Sequence, residues 1–158
     1  MKKNDQYFIS ASINLARQGM QANRGGPFGA VVVKDQQIIG SGQNLVTSAH
    51  DPTAHAEVVA IRSACQQLNT FELNGCVIYT SCEPCPMCLG AIYWARIDRV
   101  VFAATRHDAA EAKFDDEWLY REIPLTWEKR KLSYQQIGQA EAMQLFDEWN
   151  IKHDKTRY

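Results

Sequence analysis

The sequence has no apolar run long enough to cross a membrane. A transmembrane helix needs about 20 consecutive apolar residues, whereas the longest apolar stretch here, residues 28–33, has the length of a buried strand. Residues 2–5 are polar, and the N-terminal segment lacks the apolar region and the small-residue cleavage site of a signal peptide. We therefore expect a cytoplasmic protein without a membrane partner.

An excess of charge of either sign is also missing. Lysine and arginine together number 17, and aspartate and glutamate number 18, which leaves a net charge of −1. A nucleic-acid surface usually needs a cluster of basic residues. The short cluster Lys129-Arg130-Lys131 follows Glu128, and such a run more often marks a solvated face. The charge pattern therefore predicts no nucleic-acid partner.

Linkers, low-complexity tracts and internal repeats are absent as well, so residues 1–158 are expected to form one domain. Apolar periodicity and turn residues predict a hairpin with a tight turn at Asp35-Gln36, followed by helices and strands in alternation. The predicted strands are 28–34, 37–43, 76–80 and 98–104, and the predicted helices are 5–23, 52–68, 84–95 and 139–152. This order favours a three-layer α/β/α sandwich with a mixed sheet.

Disulfide bonds are not expected, although the chain has five cysteines. The number is odd, and Cys82, Cys85 and Cys88 fall within seven residues. Such spacing is typical of metal binding in a reducing compartment. Cys65 and Cys76 are predicted to be small core residues.

Two short segments carry the chemistry, His55-Ala56-Glu57 and Pro84-Cys85-Pro86-Met87-Cys88. One imidazole and two thiolates provide three zinc ligands, and the open fourth position indicates a catalytic metal. We predict that His55 and Cys85 each lie in the first turn of a helix. Cys85 and Cys88 then share one helical turn. Glu57 is placed to move protons at the open position, and H-x-E with P-C-x-x-C is the pattern of zinc-dependent nucleobase deaminases.

Each part of this pattern also has a simpler explanation. A histidine in a helix is more often structural than a ligand, and a C-x-x-C can be redox-active or incidental. Cys82-Glu83-Pro84-Cys85 is a second C-x-x-C, so the ligand pair is formally ambiguous. We prefer Cys85 and Cys88 because they share a turn after Pro84. A structural zinc would need a fourth ligand, for which Cys82 is the only nearby candidate.

With these residues in hand, the chain resembles the bacterial guanine deaminases of the cytidine-deaminase-like fold. The resemblance covers residues 5–122 well, is weaker over 123–150, and returns at the final tyrosine. It is carried by the segments 25–31, 51–57, 80–96 and 108–116. It implies a central five-stranded mixed sheet, one zinc ion per subunit, and hydrolytic deamination of guanine to xanthine and ammonia, with Glu57 transferring protons.

The resemblance also implies roles on the substrate side. Phe28 would stack on the purine ring, Asn44 would reach its polar edge, and Trp94 would line the pocket. Asp116, in preference to the neighbouring Asp115, would contact the base near the departing amine. Ala56 is counted among the substrate-binding positions. Without the resemblance, the aromatic residues would be ordinary core residues, Asn44 a turn former and the aspartates a solvated helix start.

The C-terminal segment would otherwise be read as a frayed tail. In the family that the chain resembles, this segment crosses to the partner subunit of a domain-swapped homodimer. We therefore expect residues 139–158 to be swapped and Tyr158 to close the partner subunit's active site.

Other functions share the zinc pattern. A transfer-RNA adenosine deaminase would need a basic surface for the anticodon loop. A cytosine or cytidine deaminase has no obvious need for the loop at residues 114–116 or for Tyr158. A zinc-stabilised binding module without catalysis has no use for the open metal position beside Glu57.

Overall fold

The fold alternates helices and strands, as the sequence predicts. The computed structural model describes residues 3–114 and 116–158. Residues up to Tyr120 form one compact unit, and Arg121–Tyr158 form a second. One domain over the whole chain stays a prediction. Among the described residues, no helix combines the length and the apolar character needed to span a membrane.

The elements follow the predicted order closely. The strands are β1 (Gly29–Lys34), β2 (Gln37–Gln43), β3 (Val77–Cys82) and β4 (Arg99–Ala104). The helices are α1 (Asp5–Gln21), α2 (Val46–Ala49), α3 (Ala56–Leu68), α4 (Pro86–Trp94), α5 (Arg106–Glu111), α6 (Glu117–Glu122) and α7 (Gln139–Ile151), with a 3-10 turn at Trp127–Lys129. Asn4 caps α1 and accepts a hydrogen bond from the Tyr7 N–H at 3.1 Å.

The strands form one mixed sheet in the order β2-β1-β3-β4. β1 runs antiparallel to both β2 and β3, and β3 runs parallel to β4. The β1–β2 hairpin turns at Asp35 and Gln36, both of which have positive φ, as a two-residue turn requires. The described residues supply four strands rather than the expected five. A capping box between Thr105 and Asp108 starts α5 directly after β4, so the chain continues as helix.

Both faces of the sheet are covered, which confirms the three-layer arrangement. Side chains alternate along β1: Ala30 and Val32 join the core cluster under α3 and α4, while Val31 and Val33 pack with Phe8 of α1. The contact of α3 with β2 is close. A Cβ on Gly42 would lie 2.0 Å from the Ala56 carbonyl oxygen. Only glycine at this position allows the start of α3 to lie directly on the sheet.

The start of α3 differs from the prediction. Asp51 and Pro52 do not begin the helix; the Asp51 carboxylate accepts hydrogen bonds from the Thr53 N–H at 2.8 Å and the Thr53 hydroxyl at 2.7 Å. These contacts make a local turn, a competing use of an aspartate side chain. Turn hydrogen bonds continue through Ala54, whose N–H donates to the Asp51 carbonyl at 3.1 Å and whose own carbonyl accepts from the Leu45 N–H at 2.9 Å. The helix begins four residues later than Pro52, at Ala56.

The second unit carries little internal core. None of the residues of α7 is buried, and large apolar side chains along the unit are exposed in the single chain. Ile137 is 79% exposed, Leu145 65% and Ile151 74%. Exposed apolar area on this scale is typical of a segment that packs against another surface.

An ion pair fastens α1 to β4. The Asp5 carboxylate is hydrogen-bonded to the Arg99 guanidinium and accepts from the Tyr79 hydroxyl at 2.7 Å, and these bonds lower the Asp5 pKa below its ordinary value of 3.8. A lowered folded-state pKa gives stabilisation above the unfolded value that is lost as the pH falls through the folded value.

We expect Asp5→Asn to lower the free energy of unfolding at pH 7, with the difference from the wild type shrinking as the pH falls below about 4. Urea unfolding at pH 7 and pH 3 measures this. Asp147→Asn, a change at an exposed position of α7, is the control. A difference that is the same at both pH values would contradict the ionic origin of the effect.

Candidate active site

Two helix starts bring the metal-binding side chains together. His55 is the N-cap residue of α3 and Cys85 is the N-cap residue of α4, so both lie one position before the first turn in which they were predicted. Neither side chain caps its own helix by a hydrogen bond. Pro86 takes the first position of α4, which proline favours. Both side chains are therefore available for a metal, and Cys88 follows one turn into α4.

The ligand atoms lie at distances that suit zinc. The Nδ1 atom of His55 is 3.6 Å from the Cys85 sulfur and 3.5 Å from the Cys88 sulfur. Tetrahedral zinc with ordinary Zn–N and Zn–S bonds separates such atoms by about 3.6 Å. Across residues 3–114 and 116–158, this is the group of at least three possible ligands whose atoms all lie within 4.8 Å of one another. One nitrogen and two sulfurs fit zinc, as predicted.

The two sulfurs behave as a pair that needs a cation. Hydrogen bonding with Cys88 and with the His55 ring lowers the Cys85 pKa to about 4. The hydrogen bond with Cys85 and burial together raise the Cys88 pKa. The Cys85 thiol therefore loses its proton easily, whereas the Cys88 thiol does not. A second thiolate beside the first is unfavourable unless a positive charge lies between them.

Cys82 is not part of this group. It ends β3, and its thiol contacts the Thr105 carbonyl at 3.6 Å. Burial raises its pKa to about 11, so it remains a thiol. The alternative of Cys82 as a fourth structural ligand therefore has no support in the described geometry, and a zinc ion held by the three residues would have its fourth position free for water beside Glu57.

Glu57 lies directly against the metal ligands. It is 8% exposed, and its Oε2 atom accepts a hydrogen bond from the Cys88 thiol at 3.4 Å. Burial raises the Glu57 pKa. A carboxyl group with a raised pKa can both take and give a proton near neutral pH, as a general acid–base group must.

A cavity of about 280 Å³ opens in front of these residues. That volume is close to the lower end of the range for small-molecule sites. The cavity is lined by Gly26, Phe28, Asn44, Val46, Thr47, His55, Glu57, Cys82, Glu83, Cys85, Ala109, Phe114 and Asp116. Four of the predicted residues besides the metal ligands, namely Phe28, Asn44, Glu57 and Asp116, are thus brought together.

The apolar wall of the cavity is a pair of aromatic rings. Phe28 and Phe114 meet edge to face, with ring centroids 4.9 Å apart. A Cβ on Gly26 would lie 3.0 Å from the Phe28 ring and 3.2 Å from the Phe114 ring. The absence of a side chain at Gly26 therefore leaves both rings their place beside the cavity.

The hydrogen-bonding direction of Asn44 is fixed by its neighbours. Its Oδ1 atom accepts from the N–H groups of Gly26 and Val46, each at 3.2 Å. Because the oxygen is used by two backbone donors, the NH₂ group is the end left to donate to a ligand. Asn44 is 6% exposed and therefore presents a fixed donor in the cavity.

Asp116 offers the complementary acceptor. Its Oδ1 atom is buried and has no hydrogen-bond partner among the described residues. Burial raises the pKa of this carboxyl group. A buried oxygen without a partner is uncommon and points to a ligand or water that would satisfy it. Asp115, the alternative considered from the sequence, lies outside the described residues.

Three predicted substrate-side residues do not line the cavity. Ala56 is fully buried in the core cluster at the start of α3. Trp94 ends α4 and is 64% exposed. Tyr158 belongs to the second unit and is 75% exposed. Their roles stay predictions.

Sequence reasoning missed several lining residues. Phe114 stood in the segment that carried the resemblance, but its pairing with Phe28 depends on the path of the chain after α5. Thr47 lies in α2, distant in the sequence from the metal ligands, and tertiary structure alone brings it to the cavity. Glu83 lies two residues before Cys85, and that position next to a predicted ligand is the signal that could have found it.

Comparisons with known proteins agree with this geometry. Residues 2–104 match the family model described as the cytidine and deoxycytidylate deaminase zinc-binding region. A guanine deaminase of Bacillus subtilis is 51% identical over 155 residues, which span 98% of this chain and 99% of that protein. A crystal structure of guanine deaminase from Bacillus subtilis superposes with a TM-score of 0.96 at 51% identity and covers 99% of both chains.

A more distant relative is a transfer-RNA-specific adenosine deaminase of Aquifex aeolicus. It is 41% identical over 99 residues, which span 63% of this chain and 65% of that protein. The family match over residues 2–104 includes every metal ligand and Glu57. The chain therefore belongs to the cytidine and deoxycytidylate deaminase family of zinc-dependent enzymes.

Proposed function

We propose that this enzyme removes the amino group of guanine hydrolytically, consuming one water and giving xanthine and ammonia. The observation that carries the proposal is the likeness to the Bacillus subtilis guanine deaminase along nearly the whole chain. The cavity supports it, because an aromatic wall and two polar groups suit a flat base with both donors and acceptors.

The substrate would be held by three kinds of contact. Phe28 and Phe114 enclose the ring from the side. The Asn44 NH₂ group donates to an acceptor on the purine, and the partnerless Asp116 oxygen accepts from the exocyclic amine. The resemblance alone assigns Ala56 and Trp94 to the substrate side.

Glu57 carries the protons between water and base. Zinc held by His55, Cys85 and Cys88 supplies a Lewis acid that lowers the pKa of a water bound to it. Glu57 takes a proton from the attacking water and delivers it to a ring nitrogen, which makes C2 more electrophilic. The water oxygen bonds to C2 as a hydroxyl group, and Glu57 removes the remaining proton of that hydroxyl and, with Asp116, transfers it to the amine. The C2–N bond then breaks and ammonia leaves.

Ammonia release tests the assignment. Zinc-loaded protein would be assayed with guanine, cytosine, cytidine and adenosine, with the conversion of guanine also followed by absorbance. We expect turnover of guanine and little of the other three. No turnover of guanine would overturn the assignment, and cytosine or cytidine turnover would select the pyrimidine alternative.

The transfer-RNA alternative has less support in the second unit. The guanidinium of Arg130 donates to the carbonyls of Leu125 at 2.9 Å and Ile123 at 2.8 Å and to the Tyr134 hydroxyl at 3.0 Å. The central residue of the basic cluster is therefore engaged within its own unit. An RNA substrate would also impose a steep salt dependence on binding, which kinetics at several salt concentrations would detect.

We also propose that the enzyme is a homodimer in which residues 139–158 cross to the partner subunit. The exposed apolar side chains of the second unit support this, since packing on a partner would remove Leu145, Phe146 and Ile151 from water.

The cysteines at the described positions are free thiols, which suits a reducing, cytoplasmic location.

Removal of residues 154–158 should lower guanine deamination at least about 10-fold while zinc stays bound, because a lid that excludes water strengthens polar contacts in the site. Steady-state kinetics and zinc analysis measure the two effects. Tyr158→Ala should reproduce the loss, and His153→Ala is the control in the same tail. Unchanged kinetics in the truncated enzyme would refute the lid.

A further inference from the structure

The segment that carries Phe114 and Asp116 is fastened to the turn that precedes the metal ligand Cys85. At one end, the Glu83 carboxylate accepts a hydrogen bond from the backbone N–H of Arg106 at 3.0 Å. At the other end, the Tyr120 hydroxyl donates to the Pro84 carbonyl at 2.7 Å. Arg106 and Tyr120 are thus bonded to Glu83 and Pro84, which are neighbours in the chain.

The two attachments also contact each other. The guanidinium carbon of Arg106 lies 4.5 Å from the centre of the Tyr120 ring, within the range of a cation–π interaction. Tyr120 is half-buried, and burial raises its pKa, so that its hydroxyl stays a donor. The turn, Arg106 and Tyr120 therefore form a closed set of contacts, which we name the clamp (Glu83, Pro84, Arg106 and Tyr120).

The clamp encloses the far side of the cavity. Between its two ends lie Ala109, Phe114 and Asp116, all of which line the cavity. The α5 and α6 helices of this segment have six residues each, and helices of that length are marginal without tertiary contacts. The buried Oδ1 atom of Asp116 has no partner among the described residues. The position of this carboxylate therefore depends on how its backbone is held.

We propose that Tyr120 is a positioning residue that, with Arg106, holds Asp116 at a fixed place relative to the metal ligand Cys85. The role in turnover rests on the proposed guanine deamination, whereas the mechanical role does not. Among the described contacts, Tyr120 makes none with the candidate zinc ligands, and it does not line the cavity. It acts through the Pro84 carbonyl on one side and through α6 on the other.

Tyr120→Phe tests the mechanical role because it removes one hydroxyl and keeps the ring for Arg106. Hydrogen exchange measured by mass spectrometry should show about fivefold to tenfold faster exchange for amides of residues 106–116. Exchange in β1 and β3, and a zinc content of one ion per chain, should match the wild type. Tyr7→Phe is the matched control, since the Tyr7 ring contacts Phe8 of α1 and Lys3, which precedes that helix.

A double-mutant cycle with Asp116→Asn tests the role in turnover. We expect Tyr120→Phe to lower kcat for guanine about 10-fold in the wild-type background, as displacement of a reacting group does. In the Asp116→Asn background, the same change should lower kcat by less than about twofold, because its target is already gone. A purely structural effect would instead be the same in both backgrounds.

The outcomes separate the two claims. Unchanged exchange at residues 106–116 in Tyr120→Phe would overturn the proposal, and so would equal losses of kcat in the two backgrounds. Absence of guanine turnover in both the wild type and Tyr7→Phe would overturn the proposed function instead. The exchange measurement would then still decide whether Tyr120 holds the segment.

Discussion

Replacing Glu57 by glutamine is expected to lower kcat for guanine about 10³-fold while zinc stays at one ion per chain. Glutamine has nearly the same shape as glutamate and fits the same place beside the Cys88 sulfur, which lies 3.4 Å from Oε2, and Glu57 is not one of the three candidate zinc ligands. Its amide group neither takes up nor releases a proton near neutral pH. Metal binding and packing are therefore kept, and proton transfer between water, ring nitrogen and amine is lost.

The measurement is steady-state or single-turnover kinetics alongside metal analysis. Glu72→Gln is the control, since Glu72 lies in an exposed loop where its carboxylate accepts from Asn74. Activity within about 10-fold of the wild type in Glu57→Gln would contradict the general acid–base role. It would favour a zinc ion with a structural role.

The grouping of the three candidate zinc ligands was predictable because it follows from short-range spacing. His55 with Glu57, and Cys85 with Cys88, lie on two elements whose type the sequence indicates. Their location within those elements was predicted less well. Asp51 makes a local turn with Thr53 and does not cap α3, so the helix begins at Ala56. Competition between local turns and helix caps is decided by tertiary contacts, such as the bond from Leu45 to Ala54.

The far side of the cavity was predictable only in part. Asp116 and Phe28 were named through resemblance, and both line the cavity. Two further features could not be predicted from the sequence: the edge-to-face pairing of Phe28 with Phe114 and the fixed direction of the Asn44 amide. These features depend on where loops distant in sequence meet. No periodicity in the sequence reports such meetings.

The expectation of a fifth strand was wrong for the described residues. It came from the resemblance, whereas the apolar periodicity indicated four strands, the number that the described residues form. Directly after β4, the Thr105–Asp108 capping box begins a helix. The number of strands indicated by the apolar periodicity therefore agrees better with the structure than the number implied by the resemblance.

The second large effect is expected from substitutions that distinguish the two overlapping C-x-x-C patterns. Cys88→Ala is expected to reduce zinc content from one ion per chain to nearly none and to lower kcat at least about 10³-fold, because Lewis-acid stabilisation amounts to several kcal/mol. The reason is geometric: the Cys88 sulfur lies 3.5 Å from His55 Nδ1, as a shared zinc requires. Chelator treatment of the wild type should produce the same loss, and added zinc should restore activity in the wild type alone.

Cys82→Ala is the matched control, since Cys82, like Cys88, is buried and lies three residues from Cys85. Its thiol contacts the Thr105 carbonyl and not the metal group. We therefore expect full zinc content and kcat within about 10-fold of the wild type, with a loss of about 1 kcal/mol in the free energy of unfolding for the missing sulfur. Loss of zinc in Cys82→Ala would show that the ligand pair had been assigned wrongly. Retention of zinc in Cys88→Ala would do the same, because two remaining protein ligands do not hold a catalytic zinc ion.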